Sequence, residues 1–346
     1  MAAQQAKRQS SVMPMVIVAM LFFVLGFATW LNGSLMPYLQ QMLQLTPLQA
    51  SLIIFSFYIA VTFTALPSAW LIRKVGYKNG MALGMATMML AGLLYIPAAQ
   101  TQTFALFLLA QLVIGTGQTL LQTAVNPYVV KIGPQETAAV RISIMGILNK
   151  TAGVVAPVVF TALMAGSFAA KSDVALTAEQ IDTMAAGLVL PYLGLAAFLG
   201  LLALAVKYSP LPELAQEADS TGNSGQLKAA LARPSLALGV VALVVYVAVE
   251  VIAGDTIGLF ALSLGVERYT VMTSYTMACM VLGYVLGIVL IPRVLSQQKA
   301  LAVSAVLGVL LTAAIVFGDT GSYAIANTLL VPFGGTALPD TLLYIA

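Results

Sequence analysis

The chain has 346 residues, of which 60% are hydrophobic and only 8% are charged, whereas about a quarter of an average soluble domain is charged. This composition excludes a soluble globular fold and predicts an all-α polytopic membrane protein. The net charge is only +3 and the cations are scattered along the chain, which indicates no nucleic-acid partner. The chain has no histidine, which excludes histidine-based catalysis and metal ligation. Its one cysteine, Cys279, cannot form a disulfide within the chain.

Apolar stretches of about 20 residues predict nine membrane helices. In chain order they lie near 12–38, 48–72, 79–98, 104–130, 142–167, 184–206, 235–262, 270–291 and 300–317. The N-terminal cations run into the first stretch without a cleavage site, so this helix is expected to stay in the protein. The motif "TAEQ" at 177–180 is typical of a capping box and predicts a short surface helix before the sixth span.

The loop cations predict the orientation of the chain, because cytoplasmic loops are rich in lysine and arginine. With a cytoplasmic N-terminus, only Lys171 and Arg268 lie in outer loops. The inner loops then hold twelve cations: Lys7, Arg8, Arg73, Lys74, Lys78, Lys131, Arg141, Lys207, Lys228, Arg233, Arg293 and Lys299. This strong bias supports the alternation of the nine helices.

The polar link 208–234 predicts a division into a six-helix half, 1–207, and an incomplete half, 235–346, with three helices and the start of a fourth. The basic loops "LIRKVGYKNGMALG" and "IPRVLSQQKALAVS", each after the second helix of its half, favour this repeat. Because the chain stops at Ala346 within an apolar run, we interpret it as truncated.

The fourth predicted helix carries amide side chains on one face, at spacings of three and four residues. They are Gln111, Gln118, Gln122 and Asn126, with Gly115 among them. Buried amides need partners, so the stripe either bonds neighbouring helices or, as we favour, lines a water-filled cavity. Amides both donate and accept hydrogen bonds, which suits a sugar. Pro127 either only bends the helix or frees a backbone carbonyl for a ligand.

Three ionisable residues lie inside predicted spans: Lys150, Glu250 and Asp255. Such residues usually mark functional sites. Glu250 either couples a cation or pairs with Lys150, and Asp255 either couples a cation or lies in water near the outer end. The two acids point about 140° apart on a straight helix, but unwinding at Gly254 would bring both to one cavity.

Polar residues on two other helices complete the candidate site. Trp30 either stacks on a sugar ring or lies at the bilayer interface, Asn32 interrupts the first span, and Asn149 precedes Lys150. The candidate substrate ligands are Trp30, Asn32, Gln111, Gln118, Gln122, Asn126 and Asn149. The candidate cation-coupling residues are Lys150, Glu250 and Asp255. No cofactor or bound metal is expected beyond a coupling Na⁺ or H⁺.

Several stretches identify a family resemblance: "FATWLNGSLMPYLQ", "GTGQTLLQTAVNPYVVKIGP", "MGILNKTAGVVAP" and "YVAVEVIAGD". They resemble the glucose/galactose transporters of the fucose–proton symporter branch of the major facilitator superfamily. The resemblance implies a fold of twelve helices in two pseudo-symmetric halves, alternating access and a hexose site between the halves. It also implies that the last helices are missing here and that a tenth helix begins near Leu342.

The sequence departs from the proton-coupled members at two positions. Those members carry an aspartate where this chain has Gly33 and a glutamate where it has Gln122, so a proton relay through both positions is impossible here. Coupling then falls to Glu250 and Asp255, and the resemblance favours Na⁺ over H⁺ because the glucose/galactose relatives include sodium-dependent members.

The expected function is cation-coupled import of hexoses by a monomeric transporter of the bacterial inner membrane. The alternatives are a proton-coupled sugar symporter and an efflux antiporter of apolar compounds, whose cavity would be lined by Met, Phe and Leu. An intramembrane enzyme is disfavoured because the chain has neither histidine nor a Ser/Lys or Asp/Asp pair. A sugar receptor or an inactive fragment would bind without transporting.

Overall fold

The computed structural model describes residues 2–133, 138–164, 177–214, 234–263, 269–290, 294 and 296–317. Every regular element in these ranges is helical, which confirms the all-α prediction. The helices are α1 (Ala2–Trp30), α2 (Asn32–Met42), α3 (Pro47–Val75), α4 (Tyr77–Gln100), α5 (Phe104–Lys131), α6 (Ala138–Met164), α7 (Ala178–Tyr208), α8 (Pro234–Ser263), a 3₁₀ turn (Tyr269–Val271), α9 (Met272–Leu290) and α10 (Gln297–Phe317).

Eight stretches of the described residues are long and apolar enough to cross a membrane. The first of them, Met13–Met42, joins α1 and α2, since Leu31 between them keeps helical dihedral angles. The ninth predicted span corresponds to α10, in which a shorter apolar helix covers Gln298–Leu310. All nine predicted helices are therefore present at close to their predicted positions.

The prediction of a separate short helix at 177–180 is wrong in one respect. Thr177 and Gln180 do form the capping box, with the Thr177 hydroxyl accepting from the Gln180 amide at 3.3 Å. The helix that starts there does not end before the span but continues as α7 to Tyr208. Nothing between 181 and 190 stops a helix, and Pro191 follows more than three turns of helix that begin at Ala178.

Two groups of helices are defined here by their order along the chain. The first helix group is α1–α7, in which α4 packs against α5 and α7, α3 against α5, and α1 against α6. The second helix group is α8–α10 with the 3₁₀ turn, and it meets the first through α9 on α6 and α8 on α2. The division at 208–234 stays a prediction, because 215–233 lie outside the described residues.

The bundle has two distinguishable ends. The basic end carries Lys74, Lys78, Lys131 and Lys207. The far end carries Gln41, Thr161 and Tyr269, where the two groups are joined by hydrogen bonds. Lys171, Arg268 and the predicted outer loop 319–341 lie outside the described residues, so the predicted orientation of these ends in the membrane stays a prediction.

Hydroxyl groups join the helix groups at the far end. The Ser34 hydroxyl donates to the Thr270 carbonyl, and the Tyr269 hydroxyl donates to Gln41 Oε1 at 3.0 Å. The hydroxyls of Thr161 and Thr270 lie 3.0 Å apart. The contact therefore uses α2 and α6 of the first group and the 3₁₀ turn of the second.

Glycines let α2 and α8 approach closely at this contact. A Cβ on Gly33 would lie 2.7 Å from the Gly254 carbonyl oxygen, and one on Gly258 would lie 2.5 Å from the Gly33 carbonyl oxygen. Both distances are too short for a methyl group, so the seam closes only with glycine at these positions. An aspartate at Gly33 would not fit this closed contact.

At the basic end, the segment after α7 caps the start of α4. Glu213 accepts from the backbone N–H of Tyr77 and, at 3.3 Å, from that of Lys78. The Lys78 ammonium donates to the Ser209 carbonyl at 2.6 Å. A carboxylate at a helix N-terminus satisfies unpaired N–H groups and interacts favourably with the helix dipole. Gly76, at φ 86°, makes the turn between α3 and α4.

We expect Glu213→Ala to lower the free energy of unfolding of the detergent-solubilised protein by about 1 kcal/mol, the usual cost of losing a helix N-cap. Thermal or denaturant unfolding followed by circular dichroism would measure it. Glu213→Gln keeps an acceptor oxygen and should recover part of the loss. Equal stability of the Ala variant and the parent would show that this cap contributes nothing.

Candidate functional site

A polar cavity of about 570 Å³ lies beside the interface of the two helix groups. Its walls come from α1, α5 and α6 of the first group and from α9 of the second. Polar side chains and the proline that follows the amide stripe are among its lining residues: Gln122, Asn126, Pro127, Ser143, Asn149, Lys150 and Tyr284. Such a concave pocket with a few polar groups is the usual form of a small-molecule site.

Two of the predicted amides are available inside this cavity. Gln122 is half-buried and Asn126 is exposed, and they stand one helical turn apart on α5. Neither amide bonds to another side chain or to the backbone within the described part of the chain. Their donors and acceptors are therefore free for a ligand or for water.

An ion pair between the helix groups closes one side of the cavity. The Lys150 ammonium of α6 donates to Glu250 Oε1 of α8, and their side chains are only 8% and 11% exposed. This contact matches the pairing considered from the sequence. Lys150 is the one charged group among the described lining residues, and Glu250 offsets it, so the cavity is close to electrically neutral.

Trp30 supports this ion pair from the first helix group. The Lys150 nitrogen lies 4.1 Å from the centre of the Trp30 ring, a cation–π contact. The Trp30 indole N–H donates to Asn149 Oδ1 at 3.2 Å. The ring packs against Met277 and Met280 of α9. Trp30 thus orients two cavity residues, Asn149 and Lys150, and does not itself line the cavity.

Three predicted ligands lie away from the cavity. Gln111 and Asn32 are buried and share a hydrogen bond of 3.1 Å between α5 and α2. Gln118 donates to the Thr29 hydroxyl at 2.6 Å. The amide stripe is therefore divided: its far-end half bonds between helices, and its basic-end half faces the cavity. A substrate role for Asn32, Gln111 and Gln118 stays a prediction.

Asp255 and Glu250, both on α8, contact different residues. Asp255 is completely buried, and its Oδ2 accepts from the Tyr58 hydroxyl of α3 at 2.7 Å. Helix α8 continues through Gly254, so the unwinding considered from the sequence does not occur. The two acids consequently bind different partners, one at the cavity and one at the far-end seam.

Tyr284 and Ser143 were missed by sequence reasoning. Tyr284 is the cavity residue contributed by the second group, and its ring lies over Gly146, where a Cβ would be 3.2 Å away. A signal was available, because Tyr284 stands in "GYVLG" within a span. Which helix Tyr284 faces depends on tertiary structure, so its place in the cavity did not follow from the motif.

A larger groove of about 770 Å³ has a different character. Its lining is almost entirely apolar and comes from α1, α6 and α7 only, with the Leu31 residue between α1 and α2. Rim residues such as Leu163 and Leu190 are 59% and 76% exposed, as expected for a surface that faces lipid. Because the groove lies within one helix group, relative movement of the two groups does not open or close it.

The fold and the cavity define a class: a multi-pass helical membrane protein with a polar site between two groups of helices. Residues 18–339 match the sequence model of the Major Facilitator Superfamily. The chain belongs to this family.

Two curated relatives are similar to part of the chain. A "Glucose/galactose transporter" of Brucella abortus is 34% identical over 238 residues, which is 69% of this chain and 56% of that protein. An "L-fucose-proton symporter" of Escherichia coli is 30% identical over 232 residues, 65% of this chain and 53% of that protein. The chain matches little more than half the length of these relatives, which are named as transporters and not as enzymes.

The fold also matches solved structures. The transporter FucP in the outward conformation is 27% identical and covers 97% of this chain and 85% of its own, with a TM-score of 0.76. The fucose:proton symporter FucP with the N162A change is 25% identical, with a TM-score of 0.74. The likeness confirms the predicted family fold of membrane-spanning helices.

We expect removal of either partner of the ion pair to destabilise the protein by about 3–5 kcal/mol, because the other charge is left buried and unpaired. Lys150→Met and Glu250→Gln would each lower the thermal unfolding temperature in detergent. The double variant should recover most of the loss. Additive losses in the double variant would contradict a direct interaction between the two side chains.

Proposed function

We propose that this protein is a secondary active transporter that moves a neutral hexose of the glucose/galactose type across the bacterial inner membrane by cation-coupled symport. The observation that carries the proposal is the neutral, amide-lined cavity between the helix groups. The names of the relatives, a glucose/galactose transporter and an L-fucose-proton symporter, support the substrate class and the transport activity.

The chemistry of the cavity favours a neutral polyhydroxylated substrate. Gln122 and Asn126 offer unbonded donors and acceptors, which match hydroxyl groups in either role. The Tyr284 ring offers an aromatic face beside them. An anionic substrate would compete with Glu250 for Lys150, and a cationic one would meet no unpaired acid among the described lining residues.

The arrangement of the helix groups supports a transport cycle of alternating access. They are in contact at the far end through α2 and α8. Toward the basic end, the described α8 side chains from Leu236 to Val249 are mostly exposed. The cavity lies on this side of the seam, beside Asn126 and Pro127 of α5. With the predicted cytoplasmic N-terminus, the cavity lies toward the inner side of the membrane.

The coupling ion is assigned to the acids of α8, because Gly33 and Gln122 carry no charge. Glu250 holds Lys150 across the interface, so neutralising it would weaken the link between the groups. The fucose relative is named as a proton symporter, which favours H⁺ over the Na⁺ expected from the resemblance. No cofactor is needed, and the proposed transporter acts as a monomer.

Efflux of apolar compounds is less well supported. The apolar groove has the lining expected for it, but all of its residues belong to one helix group. The cavity between the groups is polar instead.

Uptake of radiolabelled glucose and galactose into proteoliposomes, under an imposed pH or Na⁺ gradient, tests the function. The wild-type protein should accumulate sugar, and Gln122→Ala should raise KM about fivefold, since one hydrogen bond contributes about 1 kcal/mol. Asn79→Ala, which removes a surface amide bonded to Val75, is the matched control and should leave KM unchanged. Absence of accumulation under both gradients would refute the proposal.

Glu250→Gln should exchange sugar between equal concentrations but fail to concentrate it, because the amide carries no charge to hold Lys150 across the interface. Equilibrium exchange and gradient-driven uptake would be compared in the same vesicles. Exchange also reports that the variant is folded despite the unpaired Lys150. Normal accumulation by Glu250→Gln would remove Glu250 from the coupling mechanism.

A further inference from the structure

Asp255 is an acid enclosed at the seam between the two helix groups. Its exposed fraction is 0%, and the Tyr58 hydroxyl donates to its Oδ2 at 2.7 Å. Its other oxygen, Oδ1, has no hydrogen-bond partner within the described part of the chain. Tyr58 belongs to α3 of the first group and Asp255 to α8 of the second, so this bond crosses the interface.

This enclosure does not stabilise an ionised carboxylate. A buried charge needs a counterion or several donors, and here one phenol hydroxyl serves one oxygen. The protonated acid carries no charge and keeps Oδ2 as an acceptor for Tyr58. The enclosure therefore accommodates the neutral acid at far lower cost than the carboxylate.

The other charged groups near Asp255 do not supply a counterion. Lys150 and Glu250 are the ionisable neighbours that act on the Tyr58–Asp255 pair electrostatically. Lys150 is already in direct contact with Glu250. An ionised Asp255 would leave these three groups with a net charge of one electron inside the membrane, whereas the neutral acid leaves none.

The seam around Asp255 closes tightly enough to exclude water. The carbonyl oxygen of the preceding residue, Gly254, lies against Gly33 of α2. The same oxygen accepts a hydrogen bond of 3.0 Å from the Thr273 hydroxyl. Opening the far end would separate α8 from α2 and α3 and expose Asp255 to solvent. Hydration stabilises the carboxylate, so the protonation of Asp255 and the closure of the seam are linked.

We propose that Asp255 is the proton-binding site that controls closure of the far end, with Tyr58 as its partner across the interface. Water on the open side donates the proton to a carboxylate oxygen, the acid becomes neutral, and the seam closes over it. Reopening returns Asp255 to water, where it releases the proton. This proposal rests on the proposed transport function and makes closure of its far end dependent on pH.

Electron paramagnetic resonance distances across the far end test the proposal. Spin labels are attached at Leu48→Cys and Ser263→Cys in a Cys279→Ser background. Leu48 is exposed near the start of α3, and Ser263 is exposed at the end of α8. In lipid nanodiscs, the short-distance population should dominate at low pH and decline as pH rises. Asp255→Asn, which mimics the neutral acid, should keep the short distance at every pH.

Two further variants sharpen the test. Tyr58→Phe removes only the hydroxyl and should reduce the closed-to-open ratio about fivefold while keeping the pH dependence, and it remains informative if Asp255→Asn does not fold. Asp182→Asn changes an exposed acid that accepts from Gln102 within the first helix group. It should leave the pH response unchanged.

The outcomes separate the two proposals. An unchanged pH response in Asp255→Asn, or a closure that follows Na⁺ instead of pH, would overturn the assignment of the proton to Asp255. If sugar accumulation by the unlabelled parent is intact in that case, the transport function stands. A parent without sugar accumulation would refute the transport function, whatever the distances show.

Discussion

The buried ion pair between Lys150 and Glu250 is the interaction on which the site depends. A lysine this deep in a membrane bundle requires a compensating charge, and the compensating acid comes from the other helix group. The pair therefore joins the groups, closes one side of the cavity and leaves that cavity neutral. Trp30 completes the arrangement: its ring contacts the ammonium and its indole N–H donates to Asn149.

The cavity and the seam divide the polar residues of the interior into two sets. Toward the basic end, Gln122 and Asn126 keep their amides unbonded. Toward the far end, polar groups bond across helices or, like Asp255, are enclosed. This division fits a protein whose two helix groups stay together at one end while the other end admits a solute. This arrangement occurs in a chain that belongs to the Major Facilitator Superfamily.

The glycines at the seam explain why enclosure is complete there. Gly33 and Gly258 let the α2 and α8 backbones approach to distances that no side chain would permit. This close approach excludes water from Asp255, so the energy of the closed seam depends on whether Asp255 is charged. The buried acid at this seam, Asp255, belongs to α8.

The sequence alone determined the all-helical membrane class and the order and limits of the spans, because hydrophobic length and turn residues are local properties. Only the tertiary structure decided the fate of the amide stripe. Its members share one helix face, but Gln111 and Gln118 meet Asn32 and Thr29, whereas Gln122 meets open space. The spacing of Glu250 and Asp255 along the chain likewise could not predict which residues of other helices they contact. A one-dimensional pattern gives the face of a helix, and only the packing of other helices determines what that face meets.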